Sequence, residues 1–65
     1  MNEGDLVYIP QGVDMWSSST VMKTEKPITA VFLEQDVDLC HIYASGAQFK
    51  VPVRFVYPME TAYAS

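Results

Sequence analysis

The chain has little with which to staple itself. Cys40 is the only cysteine among 65 residues, which excludes an intrachain disulfide and a multi-cysteine metal site. A lone cysteine fits a reducing compartment. Basic charge is also scarce: four Lys plus Arg stand against eight Asp plus Glu, a net charge of −4. Nucleic-acid affinity is built on phosphate neutralisation, so four scattered cations argue against such a partner. No uninterrupted apolar run is longer than Ala30 to Leu33, far short of the roughly 20 residues that span a bilayer. Glu3 and Asp5 follow the first methionine closely, where a secretory leader would carry basic and then apolar residues. The expectation is a complete, soluble, cytoplasmic gene product. No stretch repeats apolar residues at the i, i+3, i+4 spacing of a helix for long enough to form one.

What is present is globular. The hydrophobic fraction is 49%, with four Tyr, three Phe and one Trp, above what a disordered chain carries. A chain of this length makes one small domain that buries only about 60% of its unfolded surface. There is no room for a second domain or a deep cleft. The domain is expected over residues 1–60, with 61–65 a short tail.

Period-two alternation recurs along the chain. Gly4-Asp5-Leu6-Val7-Tyr8-Ile9-Pro10 reads as a first strand, with Leu6 and Tyr8 on one face and Val7 and Ile9 on the other, ended by Pro10 because proline cannot donate to a ladder. Residues 10–27 are long and irregular, either a functional loop or a folded-over hairpin. Residues 28–34 (ITAVFLE) are rich in β-branched and aromatic types and read as a second strand. Residues 39–44 (LCHIYA) and 47–51 (AQFKV) read as a third and fourth, joined at Ser45-Gly46, a tight-turn signal. Residues 53–57 (VRFVY) read as the last, between Pro52 and Pro58. Five short strands cannot make a stable open sheet at this size. Closing them into a small barrel removes the edges.

That order resembles the SH3-like barrel family. The opening Gly4-Asp5-Leu6-Val7-Tyr8-Ile9-Pro10 is similar to the first strand of SH3-like and KOW-type barrels. Residues 10–27 stand where such barrels carry their long first, RT-type loop. The 53–58 stretch resembles the closing segment, where a short 3-10 turn precedes the last strand. The resemblance implies an all-β, five-stranded barrel that works as a binding module. The opening and the later KP…AVFLE also resemble small tailed-phage open reading frames, which implies an accessory, host-targeting or virion protein. Two departures matter. The third strand of peptide-reading SH3 domains opens with Trp, whereas here it opens with Leu39, and the long loop lacks a dense acidic cluster. Both argue against proline-rich ligands, and the cation count argues against the nucleic-acid role of KOW-type barrels.

Chemistry-bearing residues are few. Cys40-His41 is the only nucleophile–base pair, but neighbours on a strand point to opposite faces and cannot meet. Glu34, Asp36 and Asp38 alternate about a turn, better read as a solvated acidic turn than as a cation site. The Ser17–Thr20 run has neither a partner base nor a glycine-rich phosphate loop. No enzyme activity, cofactor or metal is expected. Aromatics remain: Tyr8, Trp16, Tyr43, Phe55 and Tyr57 exceed what five short strands need inside. Trp and Tyr dominate interface hot spots. The expected function is therefore a non-enzymatic protein-interaction module. Its docking surface comprises Tyr8, Met15, Trp16, Val21, Met22 and Tyr57, with Trp16 alternatively a lid on the barrel end. The partner is a protein, favoured where it presents a basic patch, or a second copy in a homo-oligomer or virion assembly.

Overall fold

The computed structural model describes residues 2–59. The tail expected over 61–65 lies outside the described residues, as does the final residue of the expected domain. Seven strands and one 3-10 turn follow in chain order: β1 (Leu6–Ile9), β2 (Asp14–Trp16), β3 (Val21–Lys23), β4 (Ile28–Asp36), β5 (Leu39–Ala44), β6 (Ala47–Pro52), the 3-10 turn Val53–Phe55, and β7 (Tyr57–Pro58). They form one antiparallel sheet in the order β3-β2-β6-β5-β4-β1-β7.

The protein is all-β, but its sheet has seven strands where the sequence reading expects five, and it does not close: β3 and β7 are its edges. One local fact accounts for the count, and a second for the shortness of the last strand. Residues 10–27 fold over into the β2–β3 hairpin, whose strands are too short for alternation to register. The expected last strand over 53–57 splits. Pro52 has φ −55 and ψ 134, and the chain turns there into the 3-10 segment, with Val56 N–H bonded back to Val53 O at 3.1 Å. Only Tyr57–Pro58 then pairs with β1.

The central meander β4–β5–β6 carries most of the ladder. Its second turn, Ser45-Gly46, has φ of 54 and 81, the double positive φ of a primed hairpin turn, whose twist matches that of the strands. The pairs Ala44↔Ala47 through Leu39↔Pro52 follow without a slip, and Val53 N–H to Asp38 O at 2.8 Å extends the same ladder past the strand ends. The first turn places Val37 at φ 55 with the side chain 80% exposed. A β-branched residue there is strained. A bulge between Phe32 and Glu34 bends β4 against β5.

Alternation fills the core. Val7, Ile9, Val13, Met15, Ala30, Phe32, Cys40, Ile42, Ala44, Phe49, Val51 and Val56 form one buried cluster, with Ile28, Val53 and Phe55 packed against it. Each fully buried aliphatic side chain is worth about 1.5–3 kcal/mol. Val13 and Met15 bring the hairpin's inner face onto this core. The hairpin base is fixed by Thr24, the one buried polar residue described. Its hydroxyl donates to Pro10 O at 2.7 Å and accepts from Val13 N–H at 3.0 Å. Its main chain adds Thr24 N–H to Val13 O at 3.0 Å and Gly12 N–H to Thr24 O at 2.7 Å.

Candidate functional site

The β2–β3 hairpin carries most of the residues expected to dock a partner. Along β2 the side chains alternate: Asp14 and Trp16 point outward and Met15 inward. Trp16 is 41% exposed and stands directly opposite Val21, itself 54% exposed. Met22 is half exposed at the free edge, beside Met15. Met15 departs from the expectation: the sequence places it among the docking residues, yet it is 4% exposed and belongs to the core, because residues 14–16 are a strand whose middle side chain faces the sheet's inner side.

Tyr8 and Tyr57 are brought together at the other end of the sheet. They are register partners on β1 and β7, and their rings stack with centroids 5.2 Å apart at 26°. Tyr57 is exposed and Tyr8 half-buried. The two groups do not join: β6, β5 and β4 intervene between the hairpin and β1 in the sheet order. The expected single surface is therefore divided: Trp16 and Val21 share the hairpin's outer face, Met22 lies on the opposite face beside Met15, and Tyr8 and Tyr57 form a separate patch. Between the hairpin and that patch, on the same outer face, lies a row that the sequence reading missed, Leu6↔Val31↔Tyr43, with Leu6 and Tyr43 exposed. The signal was available, since Leu6 shares a strand face with Tyr8, but strand order across the sheet is what aligns the three.

One groove of about 470 Å³ opens between β6 and the hairpin tip. Its walls are Trp16, Ser17 and Ser18 on one side and Gln48 and Lys50 on the other, with His41, Ala47 and Phe49 completing it. The groove exists because β2 meets β6 at a single pair, Trp16↔Lys50. Beyond Trp16 the chain leaves the sheet: Ser17 N–H and Oγ both turn to Thr20 O, at 2.8 and 3.3 Å.

The ladder phase then identifies what β6 presents. Antiparallel residues alternate between bonding one neighbour and the other. Asp38–Val53 is a bonded pair, and Ala44 and Ala47 flank a two-residue turn, so Phe49 and Val51 bond β5 while Gln48 and Lys50 turn their main chain away from it. Lys50 meets Trp16. The Gln48 N–H and C=O therefore point to the groove side, where β2 pairs with β6 only at Lys50.

The remaining chemistry-bearing residues stay apart. Cys40 is fully buried, and burial pushes its thiol above the ordinary range. His41, its neighbour, is on the opposite face in the groove wall, paired in register with Glu34 and Lys50. Asp36 and Asp38 flank Val37 at an exposed turn. Among the described residues, no three His, Cys, Asp or Glu side chains gather as metal ligands would. Arg54 lies over the Phe55 ring at 4.9 Å, a cation–π contact. Among the described residues no helix is long and apolar enough to cross a membrane. Comparison with protein-family models, with curated proteins and with solved structures gives no match.

Proposed function

We propose that this protein is a non-enzymatic protein-binding module of SH3-like design, whose docking surface is centred on the β2–β3 hairpin. The observation that carries the reading is the exposure of Trp16 and Val21, cross-strand partners on the hairpin's outer face at a sheet edge, with Met22 exposed on the other face beside Met15. A small domain with a core this limited gains nothing in stability from leaving its one tryptophan in water. Large aromatic and apolar groups on a rigid strand are the anchors from which interfaces are built. Thr24 supplies the rigidity, by tying the hairpin base to Pro10 and Val13.

The SH3-like part of the proposal rests on strand order. β1 lies between the last strand and β4; β4, β5 and β6 form a meander; and a hairpin inserted after β1 returns beside β6. A 3-10 turn separates β6 from β7. On this reading β7-β1-β4-β5-β6 are the five barrel strands and β2–β3 is the RT-type hairpin. Tyr8 and Tyr57 form a second, smaller contact patch. The excess of acidic residues favours a partner that presents basic side chains around its apolar contact, mainly by raising the association rate.

The test compares wild type with Trp16→Ala and with Val21→Thr/Met22→Gln as baits in the source cell's lysate. The bound proteins are identified by mass spectrometry, and both variants are checked for unchanged unfolding. Selective loss of the same protein from both variants supports the reading. Equal capture by all three baits refutes it.

A further inference from the structure

We propose that the groove between β6 and the hairpin tip captures the free C-terminus of a partner protein. The partner's last residues would run along Gln48, with the terminal carboxylate at Lys50. The inference rests on the protein-binding reading above and names the part of the partner that is bound.

The first observation is the main chain of Gln48. By the phase of the β5–β6 ladder its N–H and C=O point away from β5, and past Trp16↔Lys50 no strand among the described residues pairs with β6 on that side. An extended segment laid beside β6 completes them, as in strand addition at a sheet edge. The second is that the groove has a closed end. At Lys50 the place beside β6 is already taken by Trp16, so an added strand cannot continue and must terminate there. A chain end fits where a through-running strand does not.

The third observation is charge at that end. Lys50 lines the groove, and no carboxylate does. The acids of the neighbouring strands occupy other register positions: Asp14 is opposite Lys23, and Glu34 is opposite His41, two strands from Lys50. The hydroxyl of Ser18 adds a donor. That of Ser17 is already spent on Thr20 O. A terminal carboxylate supplies what this corner lacks, through charge-assisted hydrogen bonds, while the Trp16 indole covers the last side chain. The volume, about 470 Å³, is in the range that holds a short peptide end.

The experiment uses the full chain and reads Trp16, its only tryptophan, by intrinsic fluorescence. N-acetylated tetrapeptides ending in Val, Phe or Ala are titrated to millimolar concentration, each as free acid and as C-terminal amide. At least one acid is expected to saturate the signal and to bind about tenfold or more tightly than its amide, the size of a charge-assisted bond. Lys50→Met, which keeps the aliphatic stem, is expected to erase the difference between acid and amide. Acids and amides of equal affinity, or no saturable change with any of the six, would overturn the proposal without requiring any variant to fold. Equal affinities alongside Trp16-dependent partner capture sink only the C-terminal inference. Partner capture that survives Trp16→Ala sinks the docking reading itself.

Discussion

Replacing Thr24 by valine keeps the shape and removes one oxygen, and the structure says what that oxygen holds. Thr24 is 7% exposed, and its hydroxyl bonds both Pro10 O and Val13 N–H. Losing two hydrogen bonds costs about 1 kcal/mol each. Leaving the Val13 N–H without its acceptor in a buried setting adds desolvation, which brings the total to about 2–3 kcal/mol. A chain of this size has roughly 3–10 kcal/mol in all. The midpoint of thermal unfolding should therefore fall by roughly 10–20 °C. Far-ultraviolet circular dichroism melts, with urea titration as the equilibrium measure, test this. Thr24→Ser, which keeps the hydroxyl and loses only a methyl, should cost about 1 kcal/mol or less. Thr24→Val within about 0.5 kcal/mol of wild type, the range of an ordinary surface substitution, would refute the claim that this residue fixes the hairpin that presents Trp16.

Three further outcomes are expected. Val37→Gly should stabilise by about 1 kcal/mol, because φ 55 at the first turn residue suits glycine and strains valine; an unchanged urea midpoint would mean that the strain is absent. Cys40 should react with a thiol reagent only as fast as the chain unfolds, since burial both covers the sulfur and raises its thiol above the ordinary value. The sign follows: the raised value favours the neutral thiol in the fold, so its contribution is complete below the unfolded value and fades as pH rises past it. Labelling of the native chain at the rate of a free thiol would contradict this. Tyr57→Leu should cost about 1 kcal/mol through loss of the 5.2 Å stack on Tyr8 and speed amide exchange in β1; full protection there would deny that the stack pins β7.

How far the sequence reads into this fold depends on strand length. β4, β5 and β6 run to 9, 6 and 6 residues, long enough for alternation and for Ser45-Gly46 to define them. β2 and β3 have three residues each, below any periodic signal, so their pairing emerges only from packing: Met15 needs the core that Val7 and Ile9 begin. The 53–57 stretch mimics a strand because Val53 and Phe55 both pack against the core, although a 3-10 turn rather than a pleat puts them there. At the candidate site, Trp16, Val21 and Met22 were legible as apolar residues with no place in a minimal core. The burial of Met15 was not legible, because it depends on the phase of a three-residue strand. The groove was not legible either. It is created by β2 parting from β6 after one pair, Trp16↔Lys50, and divergence of two strands distant in sequence leaves no local pattern.

The central claim is that the hairpin's exposed indole is a contact for another protein. The most direct measurement titrates the captured partner into wild type and into Trp16→Ala, with affinity by calorimetry and fold integrity by urea unfolding on both. The account predicts a loss of about 2 kcal/mol or more in binding, roughly thirtyfold, while the protein stays folded, because Trp16 is 41% exposed and lies outside the buried core cluster. Unchanged affinity, or a collapse of stability that takes binding with it, would contradict the account and return Trp16 to the core.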